Sequence, residues 1–230
     1  MRKIGKLELK SDYVIKGKRM EGVRKIGSPI EIAKKFIDLD IDELFFIDTV
    51  ASLYDRSVSP EIIKNITENI FVPVCAGGGI RSEKDANSLF LSGADKVSGS
   101  TLFYNNLNVA KKIIDTYGSQ AMVAQLEARI INRKINLFCE WGREPIQIDV
   151  EDYVKNLIKI GIGEVHIISI EDDGIFNGPN NQIIEWCLEN FKVPVVYSGG
   201  IKSFDEMKLI EKEYPELSGV AFASMVYYND

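Results

Sequence analysis

The chain has 230 residues, 45% of them hydrophobic and 27% charged, a balance that excludes disorder, collagen-like repeats and low-complexity sequence. Acidic residues outnumber basic ones, 34 to 28, and the formal charge of −6 excludes a general nucleic-acid binder but not a small phosphorylated ligand held by local amides. Three scattered cysteines (Cys75, Cys139, Cys187) and one histidine (His166) suggest no disulfide framework, no zinc cluster and no site needing two imidazoles.

Short runs rich in β-branched residues alternate with longer amphipathic stretches along the whole chain. Residues 4–9, 43–48, 72–76, 96–98, 120–127, 164–169, 193–198 and 220–224 predict eight strands. Helix starts lie between them. Ser28-Pro29 and Ser59-Pro60 each place a capping serine before a first-turn proline. Ser82 to Asp85 and Ser203 to Glu206 read as capping boxes, with an acid three residues after the serine. Strands alternating with helices predict an α/β fold with a parallel sheet, and eight such units in this length predict one (β/α)8 TIM barrel over 1–230. The polar break in residues 130–138 predicts a hairpin or extended loop after strand five. Only six residues follow Ser224, so the last helix of the barrel is expected to be missing. No apolar run approaches the ~18 residues of a membrane span, and the first thirteen residues lack a signal-peptide core. A cytoplasmic protein with no membrane partner is expected.

An internal repeat supports two half-barrels. Val72-Pro-Val-Cys-Ala-Gly-Gly-Gly-Ile-Arg-Ser82 aligns with Val193-Pro-Val-Val-Tyr-Ser-Gly-Gly-Ile-Lys-Ser203 at an offset of 121 residues, and the same offset carries Asp42-Glu43-Leu44 onto Gly163-Glu164-Val165.

In such a barrel the active site lies at the C-terminal ends of the strands. Gly78 and Gly79 with Ser100 and Thr101 form one candidate phosphate site there. Gly199 and Gly200 with Ala223, Ser224, Asp173 and Gly174 form its symmetric counterpart. Two sites imply a substrate phosphorylated at both ends; the other reading of the glycines is simple turn geometry. Four acids fall at strand ends: Glu8, Asp48, Glu127 and Asp173. Glu8 and Glu127, from opposed strands, are candidates for general base and general acid. Alternatively they face solvent or pair with basic neighbours such as Lys16 and Arg129. At the opposite ends, Arg2, Glu43, Lys96 and Glu164 form either a structural salt-bridge ring or a polar gate. His166 sits mid-strand and reads as packed, Trp141 and Trp186 as packing or loop aromatics, and Arg143 as a loop arginine within reach of substrate.

The stretches Gly27 to Glu31, Asp42 to Asp48, Gly77 to Arg81, Gly93 to Ser98, Gly118 to Gln120 and Asp173-Gly174 together resemble the cyclase subunit of imidazole glycerol phosphate synthase, the HisF-like barrels of histidine biosynthesis. The resemblance covers essentially the whole chain. It implies a HisH-like glutaminase docked on the N-terminal face, with Asp95 contacting it. Ammonia would then pass a gate of Arg2, Glu43, Lys96 and Glu164. It implies no metal or cofactor, and an ammonia-using cyclase/lyase acting on a bisphosphorylated ribulosyl aminoimidazole carboxamide ribonucleotide, with Asp48 and Asp173 orienting it. The sequence departs from the family at Glu8 and Glu127, where two aspartates are usual, at Ser100 (asparagine), at Ile175 (threonine) and across Leu9 to Tyr13. A divergent HisF-like branch associated with bacterial surface-glycan genes resembles it in the altered first acid and short C-terminus. That branch implies ammonia supply for amidation of a sugar. A phosphosugar isomerase of the same superfamily shares the paired acids but needs no gate.

Overall fold

A computed structural model describes residues 1–228. Eight parallel strands close into a barrel in the order β1 (Arg2–Lys10), β4 (Glu43–Asp48), β5 (Val74–Gly77), β6 (Lys96–Gly99), β7 (Met122–Ile131), β10 (Glu164–Ser169), β11 (Val195–Ser198) and β12 (Gly219–Phe222). Pairing of β7 with β10 and of β12 with β1 completes the ring. The helices α1 (Pro29–Ile37), α2 (Pro60–Asn69), α3 (Glu83–Leu91), α4 (Thr101–Asn105), α5 (Leu107–Tyr117), α6 (Val150–Ile160), α7 (Asn181–Asn190) and α8 (Phe204–Glu213) connect consecutive barrel strands. The repeat survives in the elements: β4 and β10, and likewise β5 and β11, are separated by the 121 residues found in the sequence.

Local chemistry explains the boundaries. Ser28 and Ser59 accept N–H bonds from Glu31 and Ile62, each with proline opening the helix. Ser82 and Asp85 form the full capping box. The second box is half made: Ser203 accepts from the Glu206 amide, but the Glu206 carboxylate takes the Lys202 N–H instead of that of Ser203. β5 and β11 start two residues later than expected, after Pro73 and Pro194. Proline has no N–H for a ladder, and these two only accept, from Leu44 and Val165.

Two hairpins extend the C-terminal mouth. The expected one joins β7 to β8 (Lys134–Cys139), which pairs in turn with β9 (Glu144–Pro145). The other was not expected: β1 turns back into β2 (Tyr13–Lys18) and β3 (Glu21–Gly27). Its Arg19-Met20 turn has φ of +52° and +62°, both left-handed, as a two-residue type I′ hairpin requires. The final helix is not wholly missing either. One short helix, α9 (Ser224–Tyr227), follows β12 within the described residues.

Along each barrel strand side chains alternate outward and inward. Outward Leu7, Leu9, Leu44 and Phe46 join Ile32, Phe36 and Ile63 of the helices in the main core. Inward Ile4, Phe45, Cys75, Val123, Ile168 and Val196 form a smaller core inside the barrel. The inward face of β1 therefore reads Arg2, Ile4, Lys6, Glu8 from bottom to top.

Candidate functional site

The bottom of the barrel carries the charged ring. Arg2 bonds both Glu43 and Glu164, and Lys96 Nζ lies 2.9 Å from Glu43 and 2.7 Å from Glu164. Both carboxylates are buried, whereas Arg2 and Lys96 keep partial access to solvent. Burial pushes Glu43 up, against the opposing pull of Lys96 and Arg2. For the two cations the carboxylates outweigh burial, and both are held above their ordinary values. Asp95 stands exposed beside Lys96, one carboxylate oxygen accepting the Val74 N–H at 2.8 Å.

Above the ring, His166 is fully buried. Its Nε2 is 2.9 Å from Ser198 Oγ, and its ring meets Phe45 edge-on at 5.2 Å. Burial, together with the charge of Lys6, lowers it well below the usual histidine range, so the imidazole is neutral. Ser98 Oγ, Gln125 Oε1 and His166 Nδ1 are buried without partners among the described residues.

At the top, one side of the mouth opens into a cavity of about 420 Å³. It brings together Asp48, Gly78, Gly79, Ser100, Thr101 and Glu127, all expected site residues, with Arg81, Gln125, Glu140 and Trp141. Glu127 is buried on β7. It accepts the Gly142 N–H at 2.7 Å and the Gln125 side-chain N–H at 3.0 Å. Burial raises its carboxyl to about 7, because these bonds and one from Ser100 offset only part of the desolvation. A group half-protonated near neutral pH can donate or accept a proton. Asp48 is tied down differently, accepting from Val50 N–H at 3.1 Å, Ser11 N–H at 3.3 Å and Arg56 Nη2 at 3.1 Å. Gly78 and Gly79 have φ of +107° and +69°, and a Cβ on Gly79 would lie 1.9 Å from the Arg56 carbonyl oxygen. Turn geometry alone therefore demands these glycines.

The other side is filled. Lys16, reaching in from β2, places Nζ 2.7 Å from Glu8 and 2.6 Å from Asp173, while Lys6 Nζ is 3.0 Å from Glu8 and 3.5 Å from Asp173. All four groups are buried. Burial opposes the charges on Lys16 and Asp173, but the neighbouring opposite charges prevail, raising Lys16 and lowering Asp173. Glu8 thus pairs with Lys16, the bland alternative the sequence left open, whereas Arg129 meets Glu171 at 2.8 Å rather than Glu127. Asp173, Gly174, Gly199, Gly200, Ala223 and Ser224 do converge as expected, but around only about 20 Å³. The two sites that look equivalent in sequence differ in volume.

His166 and Trp186 pack as expected, Trp186 edge-on to Phe191. Arg143 does not line the cavity; its guanidinium turns to the Glu140 carbonyl at 3.0 Å. Lys6, Gln125, Glu140 and Trp141 were not anticipated at the site. Lys6 and Gln125 were readable from period-2 alternation, each two residues before a candidate acid on the same strand face. Glu140 and Trp141 carried no such signal, since their loop turns through left-handed φ of +52° and +59°. Among the described residues no cluster of His, Cys, Asp and Glu could hold a metal, and no helix is long and apolar enough to cross a membrane.

Fold and site together define a two-fold-repeated (β/α)8 barrel with a cavity bordered by a buried carboxyl, Glu127, at one mouth and a charged ring at the other. The chain belongs to the histidine biosynthesis protein family, whose sequence model matches residues 4–230. Its relatives include proteins named imidazole glycerol phosphate synthase subunit HisF. The one from Legionella pneumophila is 38% identical over 207 residues, covering 90% of this chain and 98% of that protein. The one from Thermotoga sp. (strain RQ2) is 34% identical, covering 84% and 77%. That from Natranaerobius thermophilus is 31% identical, covering 97% and 89%.

Proposed function

We propose that the chain is the HisF-like, ammonia-using barrel subunit of a glutamine amidotransferase complex. A HisH-like glutaminase docks on the N-terminal face, beside Asp95. Ammonia released there passes the Arg2–Glu43–Lys96–Glu164 gate and the barrel interior, then attacks an acceptor held in the Glu127 cavity. The observation that carries this reading is axial: the ion-paired ring of Arg2, Glu43, Lys96 and Glu164 stands at one end of the interior, and buried Glu127 stands at the other. Two large apolar side chains support the docking face. Phe71 (92% exposed) precedes β5 and Leu91 (80% exposed) ends α3, both on the side where barrel strands begin. A cytoplasmic setting belongs to the same reading.

In the cyclase/lyase form of this function the acceptor is the bisphosphorylated ribulosyl aminoimidazole carboxamide ribonucleotide. Glu127 is then the general acid, Glu8 the general base, and Asp48 and Asp173 orient the substrate. The products are imidazole glycerol phosphate and the carboxamide ribotide. Likeness to HisF over most of the chain supports it. One observation favours the other form, ammonia delivery for amidation of a surface-glycan sugar: the Glu8 carboxylate is already held by Lys6 and Lys16.

The test supplies ammonium salt and the bisphosphorylated ribulosyl substrate to purified protein and follows substrate loss by absorbance. Turnover that Glu127→Gln abolishes supports the cyclase form. No turnover by folded protein supports the amidation form. Failure of the protein both to turn over and to bind any glutaminase encoded with it removes the whole reading.

A further inference from the structure

Two polar atoms lie orphaned deep inside the barrel, between the charged ring and Glu127. Gln125 on β7 and His166 on β10 are register partners on adjacent parallel strands, and both project inward, each two residues from an inward core residue, Val123 and Ile168. Along β10, His166 follows Glu164 of the ring by two residues; along β7, Gln125 precedes Glu127 by two. At about 3.3 Å per residue, the pair stands roughly 7 Å above the one and roughly 7 Å below the other.

Each side chain is half satisfied. Gln125 Nε2 donates to Glu127 at 3.0 Å, and His166 Nε2 lies 2.9 Å from Ser198 Oγ. Gln125 Oε1 and His166 Nδ1 are buried without partners among the described residues. An amide oxygen and an imidazole nitrogen at one level of neighbouring strands could have bonded each other, and do not. Buried polar atoms are nearly always paired, because an orphan carries its full desolvation cost. The surrounding Ile4, Phe45, Val123, Ile168 and Val196 side chains offer no hydrogen bond.

The chemistry of the missing partner follows from its surroundings. It is small, since both atoms are sealed from solvent and it must enter by swinging Gln125 towards the cavity that this side chain borders. It donates, since an amide oxygen only accepts. It carries a lone pair as well, and so suits either tautomer of His166. It is uncharged, since a cation would lose its water among apolar walls and face the Lys6 ammonium, whose charge already acts on His166. Ammonia meets these conditions; water meets them too and is the molecule that ammonia would displace.

We propose that Gln125 Oε1 and His166 Nδ1 form a binding station for one neutral ammonia molecule inside the barrel, with Gln125 linking that molecule to Glu127. The choice of ammonia rests on the ammonia-delivery reading above; what is added is a place where ammonia is held beside the acid rather than merely passed.

His166 is the only histidine in the chain, so selective isotope labelling for nitrogen NMR gives a single imidazole to follow. Burial holds it well below the usual histidine range, so it stays neutral near neutral pH and above. Ammonium chloride should move the Nδ1 resonance in a saturable way that potassium chloride does not reproduce. The half-saturating total ammonium concentration should fall nearly tenfold between about pH 7 and about pH 8, the factor by which free ammonia rises. Gln125→Leu should weaken the response at least tenfold, and the wild-type titration decides alone if that variant does not fold. An Nδ1 resonance that answers ammonium no more than potassium would overturn the proposal. So would a half-saturation that ignores pH, the mark of a cation site, or one that Gln125→Leu leaves unchanged. Ammonium-driven turnover alongside an unresponsive Nδ1 would overturn the station and leave ammonia delivery standing.

Discussion

Glu127→Gln offers a direct physical test of the site. Burial moves this carboxyl from an ordinary 4.5 to about 7. At ~1.4 kcal/mol per tenfold change, keeping it charged costs the folded protein about 3 kcal/mol. The sign follows from proton binding: between those two values the folded state holds the proton and the unfolded state has released it. Stability therefore falls as pH rises from 4.5 to about 7, and the cost is fully present above that. The glutamine amide has the same shape and no charge. Its oxygen keeps the Gly142 N–H, and a flipped Gln125 turns its unpartnered Oε1 towards the new NH2. Urea unfolding of both proteins should show near-equal stability at about pH 4.5, with the variant ahead by about 3 kcal/mol at about pH 8. A stability difference that does not change across this range would refute the raised carboxyl, and with it the assignment of Glu127 as acid.

Further outcomes are expected elsewhere in the barrel. Lys16→Met leaves two buried carboxylates facing Lys6 alone and should cost about 3–5 kcal/mol in urea unfolding, against a fraction of that for an exposed lysine such as Lys155. Because Asp173 is held below its ordinary value of 3.8, the stability it contributes should persist above that pH and disappear as pH falls further; acid titration of wild type against Lys16→Met, followed by circular dichroism, measures this. Phe71→Asp should weaken a glutaminase complex by about 30-fold, the effect of losing an apolar anchor worth ~2 kcal/mol, with no change in fold by circular dichroism. Arg133→Gly relieves a left-handed turn residue at φ +61° on an exposed hairpin and should raise stability by about 1 kcal/mol.

The barrel was legible because its signals are local and repeated. Capping serines, first-turn prolines and alternating apolar runs each recur, and the 121-residue offset ties the halves together. The β7–β8 hairpin was legible because the polar Asn132, Arg133 and Lys134 interrupt apolar residues on either side, and the structure turns there through left-handed Asn132 and Arg133. The β2–β3 hairpin was not. Arg19 and Met20 occupy the same kind of turn, but nothing in either side chain announces it, and the flanking strands carry three lysines and an arginine. Without that hairpin, the pairing of Lys16 with Glu8 stood only as one alternative among several. Glu8 and Glu127 look symmetric as acids at strand ends, yet Lys16 arrives through the unseen hairpin and pairs with only one of them. Sequence spacing places a side chain on a face; which long side chain reaches across to fill a space depends on packing between distant elements.

The charged ring at the bottom and the upper ion cluster also divide unequally between the two repeats. Of their eight charged groups, the first repeat supplies the four cations Arg2, Lys6, Lys16 and Lys96 with the two anions Glu8 and Glu43. The second supplies only the anions Glu164 and Asp173. Within these two clusters the first repeat carries a net excess of cations and the second only anions, so two copies of the same repeat would leave the excess unbalanced across the axis. The halves have become electrostatic opposites. A chain assembled from two first repeats should fail to close as a barrel, even though its backbone elements could superimpose on those of the natural ring.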